Sequence, residues 1–164
     1  MSENKQVFEV ISIFTLGINM SSANYVNMIF NESSKNVITV DNIAMGYDVV
    51  KIGDDLYQVN LNLGSAYIDS SGVNILELTM TQSGVFRIIA GEESPDDYIQ
   101  MALYVNAPSI LYPHLRPLYN MIVAQNGIKP HPLGTFDFYD SYIKNGLSKN
   151  DQIKESLRTG ESVD

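Results

Sequence analysis

The chain has 164 residues and a mass of 18.3 kDa, one domain's worth, and its 45% hydrophobic content suffices to hide roughly two-thirds of the unfolded surface without staples. It has no cysteine, which excludes a disulfide framework, an iron–sulfur cluster, cysteine-bound zinc and a thiol nucleophile. Ten basic against nineteen acidic residues give a net charge of −9 and a pI ≈ 4.5, which repels nucleic-acid backbones and anionic lipid headgroups.

Met1 to Gln6 is polar, and Glu9 and Ser12 interrupt the apolar run after it, so the start lacks the pattern of a signal peptide. No run approaches the roughly 18 apolar residues of a membrane span. The expectation is a cytoplasmic protein without membrane insertion or nucleic-acid binding. From Phe8 to Met20 the even positions Phe8, Val10, Phe14, Leu16, Ile18 and Met20 are apolar, with Ser12 between them. That is the period-two pattern of a long strand with one buried face. Val37 to Ile43 is rich in β-branched residues and forms a second candidate strand. Tyr57, Val59, Leu61 and Leu63 alternate with Gln58, Asn60 and Asn62, a third strand opened by the turn residues Asp54 and Asp55. Ile68 to Gly72 supplies turn chemistry, and Leu76, Leu78 and Met80 alternate with Glu77, Thr79 and Thr81 in a fourth strand returning antiparallel to the third.

Helices come after the strands, the order of an α+β fold. Ser94, Pro95 and Asp97 provide an N-cap, a first-turn proline and an acidic third position, and a short helix is expected to end before Pro108. A second helix carries Leu111, Leu115, Leu118 and Ile122 and stops at Gly127, placed for a left-handed cap. Pro113 fits its first turn, whereas Pro117 costs about 3 kcal/mol in a helix interior and predicts a kink or restart. After Lys129-Pro130-His131-Pro132, a last helical pattern puts Phe136, Tyr139 and Ile143 on one face and Phe138 and Tyr142 on another. Residues 1–145 read as one domain, and 146–164 as a polar tail in which Ile153 and Leu157 allow at most a short docking helix.

Catalytic motifs are missing. The chain has no phosphate-binding glycine loop, no Gly-x-Ser-x-Gly elbow and no histidine pair at metal spacing. His114 and His131 are its only histidines, and both read as structural. The acidic stretch Glu92 to Asp97 lacks the spacing of a calcium loop and suits a helix start. No enzyme, metal or cofactor is expected. One segment stands out: Ser21 to Lys35, between the first two strands, contains Tyr25, Val26, Met28, Ile29 and Phe30. A connection this apolar either folds down on the sheet or presents apolar area, and methionine's flexible, polarisable side chain suits contact with many partners.

Several separated motifs in order resemble those of SecB, the bacterial protein-export chaperone family. Val85-Phe86-Arg87-Ile88 with Gly91 is similar to that family's Val-Phe-x-Ile run. Ala107-Pro108-Ser109-Ile110-Leu111-Tyr112-Pro113-His114-Leu115-Arg116 resembles its Pro-x-x-Leu-Phe/Tyr-Pro-Tyr-x-Arg signature, and Thr135-Phe136-Asp137 stands where it has Asn-Phe-Asp or Asn-Phe-Glu. Upstream, Asp54-Asp55-Leu56-Tyr57-Gln58-Val59 and Gln82-Ser83-Gly84 match a family strand and turn.

The resemblance implies a four-stranded antiparallel sheet with a crossover connection, helices on one face, and a homotetramer built as a dimer of dimers. It also implies an ATP-independent holdase that binds unfolded precursor proteins and passes them to the SecA ATPase, with no cofactor. Client contact falls by resemblance on Met20, Tyr25, Met28, Ile29, Phe30, Phe86, Phe136, Tyr139 and Ile143, and subunit assembly on Leu78, Met80 and Gln82. The family's acidic SecA-contact positions are Gly17, Ser21 and Thr79 here; Glu77 keeps one carboxylate on the face of Thr79 by strand parity. A SecB-like chaperone dedicated to one partner, such as an antitoxin, is the alternative reading.

Overall fold

Four long strands make one antiparallel sheet in the order β1-β4-β3-β2: β1 Phe8–Ser21, β2 Thr39–Lys51, β3 Leu56–Ile68 and β4 Asn74–Ile88. The computed structural model describes residues 8–21, 38–89 and 96–144. β1 and β2 are consecutive in the chain yet lie at opposite edges, which makes a crossover connection. β3 and β4 form the centre because their alternation is the strongest. Val59, Leu61, Leu63 and Tyr67 from β3 and Leu76, Leu78, Met80 and Phe86 from β4 are 0–2% exposed.

β2 runs eight residues past the Ile43 end expected from composition, and Ile43, Met45, Tyr47 and Val49 continue its half-buried face. β1 departs from simple alternation. Its pairing with β4 slips at Ile11 and again at Leu16, so Val10 pairs with Phe86, Ile13 with Gly84, Thr15 with Gln82, Ile18 with Met80 and Met20 with Leu78. Each bulge inserts a residue and inverts the parity of the strand beyond it. Phe14 and Ser12 therefore leave the helix-side face expected for the even positions, and Ile13 and Thr15 take their place.

The helices cover one face. α1 (Asp96–Met101) passes through a five-residue π-helical turn (Ala102–Asn106) into α2 (Ala107–Gln125), and a short α3 spans 138–144. Ser94 and Pro95 of the expected cap lie outside the described residues. The helix does not end before Pro108, nor does it break at Pro117. The wide turn precedes Pro108, and Pro113 and Pro117 are exposed, so the carbonyls of Ser109 and Pro113 that lose their helical donors sit at positions open to water. The buried stripe is Ala107, Leu111, Leu115, Tyr119 and Val123, each 0% exposed, whereas the expected Leu118 and Ile122 are only half-buried. Full burial of such a side chain contributes roughly 1.5–3 kcal/mol.

α2 ends as predicted. Gly127 has φ 70°, its N–H donates to Ala124 O, and Ile128 N–H donates to Val123 O, a left-handed cap closed by contact between buried Val123 and Ile128. Inside the core the Tyr67 and Tyr119 hydroxyls bond at 2.5 Å, and the His131 N–H donates to Tyr67 at 3.3 Å. Burial, reinforced by Tyr67, holds the Tyr119 hydroxyl far above the usual tyrosine range.

This packing sets two expected outcomes. A Cβ at Gly84 would meet Phe86 Cε2 at 2.7 Å and Leu111 Cδ2 at 2.9 Å, so Gly84→Ala should lower unfolding free energy by about 1–3 kcal/mol in urea titration. Because Tyr119 is protonated more firmly folded than unfolded, its contribution is complete below about pH 10 and drains away as pH rises above that value. Thermal unfolding measured from neutral to alkaline pH should show this loss, and Tyr119→Phe should flatten it.

Candidate binding surface

β1 is an edge strand and exposes apolar side chains along its length. Val10, Ile11, Phe14, Leu16, Ile18 and Met20 are 38–57% exposed. The bulges explain the width of this band: Ile11 and Leu16 are the inserted residues, so apolar groups project from both faces. Exposed apolar side chains in such number on a folded chain are the usual mark of contact with a protein, a membrane or a ligand.

A second surface lies beyond the opposite edge of the sheet, where an aromatic cluster ties β2 to the helices. Tyr47 packs edge-on against Phe138 at 5.9 Å and Tyr104 at 6.3 Å between ring centres, and Tyr112 meets Phe138 at 6.1 Å. Burial raises the Tyr47 hydroxyl above its ordinary range, opposed by a hydrogen bond with Ser141. Asp137 starts α3 as its N-cap, its carboxylate accepting from the Asp140 N–H at 2.9 Å, and this cap turns Phe138 inward, leaving it 3% exposed. The Tyr112 hydroxyl donates to Gly134 O and fixes the preceding loop. Beside the cluster an open cleft of ≈ 390 Å³ is lined by Val105 and Ser109 from the helix and by residues 135–139, including Phe136 and Tyr139.

The residues expected to contact clients fall into four places. Phe136 and Tyr139 share this cleft, with Ile143 half-buried one turn further along α3. Met20 is at the far end of β1, where its sulfur accepts from Asn126 Nδ2 at 3.3 Å. Strand spacing and rise put it roughly 20 Å from Tyr47. Phe86 is 0% exposed beneath Phe8, with ring centres 5.7 Å apart. Tyr25, Met28, Ile29 and Phe30 lie outside the described residues. Leu78, Met80 and Gln82 are buried on the helix side of β4, each beside its β1 partner, and Thr15 Oγ1 donates to Gln82 Oε1 at 3.1 Å.

Tyr47, Tyr104 and Phe138 escaped sequence reasoning as site residues. The signal for Tyr47 was the apolar alternation running on from Ile43 to Val49. For Phe138 it was Asp137 as a cap, which makes Phe138 rather than Phe136 the first helical residue. The outer face of the sheet is polar at its centre. Asp48 accepts from Asn60 Nδ2 at 2.8 Å and Asn62 Nδ2 at 3.1 Å, and these amides accept in turn from the hydroxyls of Ser83 and Thr81. Glu77 is exposed on this face beside Ala66, bonded by Asn74 Nδ2 at 2.5 Å. Among the described residues no group of carboxylates or histidines could hold a metal, and no helix is long and apolar enough to cross a membrane.

The family model described as preprotein translocase subunit SecB matches residues 1–148. The chain is 26% identical to the protein-export protein SecB of Magnetococcus marinus over 146 residues, covering 84% of this chain and 88% of that protein. It is 30% identical to the protein of the same name from Ehrlichia chaffeensis over 110 residues, 62% of each. Among solved structures it resembles a SecB-like chaperone of Mycobacterium tuberculosis in complex with a ChAD peptide from the HigA1 antitoxin, with a TM-score of 0.58, 8% identity, and coverage of 80% of this chain and 91% of that one.

Of the three aromatic residues at the cleft, Phe138 and Tyr139 should respond very differently when truncated. Phe138→Ala removes a buried ring touching Tyr47, Tyr112 and Phe136 and should cost about 3–5 kcal/mol of unfolding free energy in urea titration. Tyr139→Ala, at a position 52% exposed, should change it by less than about 0.5 kcal/mol.

Proposed function

Since the chain belongs to the SecB family, we propose that it is a cytoplasmic, ATP-independent holdase that binds unfolded precursor proteins and delivers them to the SecA translocase for export. The family is one of chaperones, not enzymes. The observation that carries the reading is the amount of apolar side chain left reachable at both edges of the sheet on a chain of net charge −9. Apolar contact contributes about 25 cal/mol per Å² whatever the client's sequence, which gives breadth. The acidic surface keeps such a particle soluble and favours basic segments near the apolar ones.

The client path combines the cleft at Phe136, Tyr139 and Ile143 with Met20 and with Tyr25, Met28, Ile29 and Phe30 of the crossover segment. Phe86 supports it from within the core. The β1 edge suits a second copy of the chain, because only a partner of constant sequence can match a fixed bulge pattern, and two such dimers complete a homotetramer. Leu78, Met80 and Gln82 act on assembly by seating β1, not by touching the partner. Several clefts in one particle raise avidity through effective concentration. Without nucleotide chemistry, release comes from a partner that competes or couples. SecA docking rests on Glu77 and on the tail at 146–164, since Gly17, Ser21 and Thr79 carry no charge.

A second reading, a chaperone dedicated to one partner such as an antitoxin, is favoured by the structural likeness to a SecB-like chaperone solved with an antitoxin peptide. Capture of several unrelated unfolded proteins with similar affinity would decide for the general holdase; capture of none but one would decide for the dedicated form.

Stoichiometric protein without ATP should suppress light scattering from a refolding client. Serine at Met28, Ile29 and Phe30 together, or at Phe136 and Tyr139, should weaken suppression severalfold while native mass spectrometry still reports about four chains. Full suppression by both variants, or a stable monomer, would overturn the corresponding part of the proposal.

A further inference from the structure

The π-helical turn at Ala102–Asn106 interrupts the helix beside the cleft, and its position has a physical cause. Pro108 has no N–H for the Tyr104 carbonyl, and in a regular α-helix its ring would press on that carbonyl. The wider turn relieves both problems: the Ala107 N–H reaches back five residues to Ala102 O. Ser109 Oγ donates to Val105 O at 2.6 Å and holds the next carbonyl in place. Ala102 and Ala107, five apart and both buried, consequently face the core together, whereas in an unbroken α-helix they would point about 140° apart.

The turn separates the two supports of the cleft. Upstream, Gln100 accepts from the Tyr142 hydroxyl at 2.9 Å, and at its centre Tyr104 packs on Tyr142 at 6.0 Å, so α3 is docked on α1. At its downstream end, Val105 and then Ser109 form the helix wall of the cleft, while Tyr112 anchors the loop leading into α3. Relaxation of the turn to α-helical pairing, with α2 held by its buried stripe, would rotate α1 by about 100°. Gln100 would then swing away from Tyr142, and α3 would lose that side of its seat.

We propose that the π-helical turn is a latch on the cleft: while it persists α3 is held against α1, and its reversion to α-helix releases α3 and opens the cleft to a client segment. This rests on the cleft being a client site, but the latch itself can be read without any client. Amide hydrogen exchange of 138–144 reports it directly. Pro108→Ala restores a donor for Tyr104 O and should speed exchange there about tenfold; deletion of Asn106 removes the residue that the turn accommodates, keeps both helix faces in register, and should slow it. Tyr142→Phe, which leaves the helix untouched, should speed exchange about tenfold by loss of the Gln100 bond, covering the case in which a helix variant fails to fold.

Capture of reduced, carboxymethylated lactalbumin is the second readout. It should strengthen in Pro108→Ala and Tyr142→Phe and weaken in the deletion. Unchanged exchange at 138–144 in Tyr142→Phe and in whichever helix variants fold would overturn the latch, whatever the client does. Altered exchange with no capture by the parent chain would leave the latch standing and remove the client reading beneath it.

Discussion

Leu111 presses onto β4 where Gly84 leaves the Cβ position empty, with Phe86 closing the same space from the side. This close approach fixes the height of α2 above the sheet. The stripe Leu111, Leu115, Tyr119 and Val123 then meets the inner faces of β3 and β4 along its whole length, and the Tyr67 and Tyr119 hydroxyls satisfy each other inside the layer. Two flanking regions take their positions from α2. The loop after it is held by the Gly127 cap, by buried Ile128 and Leu133, and by Tyr112 at Gly134. The π-helical turn before it directs α1 and Tyr104 toward β2 and α3.

A central pair of strands that buries so much leaves the edges free to do something else. β1 has its apolar groups spread over both faces by two bulges, a poor arrangement for burial within one chain and a good one for meeting another. On the β2 side the surface is aromatic and opens beside a short helix rather than along a strand edge. The two edges thus differ in kind: one is an aliphatic strand edge, the other an aromatic cleft beside a helix. The outer face, by contrast, is internally hydrogen-bonded through Asp48, Asn60 and Asn62, so its polar groups are already partnered.

Much of this was legible. The alternation of β3 and β4, the turn between them and the glycine cap of α2 rest on local rules, and each appears where those rules put it. The family motifs at Val85–Ile88 and Ala107–Arg116 were legible because motif spacing is a property of neighbouring residues; within them Phe86 and Leu111 meet at the gap that Gly84 leaves. Other features could not be read locally. Whether a strand alternates or bulges depends on its neighbour, so nothing within Phe8–Met20 reveals that Ile11 and Leu16 are inserted. Pro108 and Pro117 looked like helix breaks because local cost was all that could be counted, whereas a wide turn before the one and a water-facing carbonyl beneath the other absorb it.

The amino-acid sequence by itself determined the α+β order, the antiparallel pair β3 and β4, the family and the absence of recognisable catalytic motifs, because periodicity, turn chemistry and motif spacing are properties of adjacent residues. Only the tertiary structure decided which apolar side chains remain reachable. Phe86 and Phe138 vanish into the core while Leu16 and Tyr139 stay outside, and no property of the single residue separates them. Exposure is settled by what packs opposite, and that partner is brought in from a distant part of the chain.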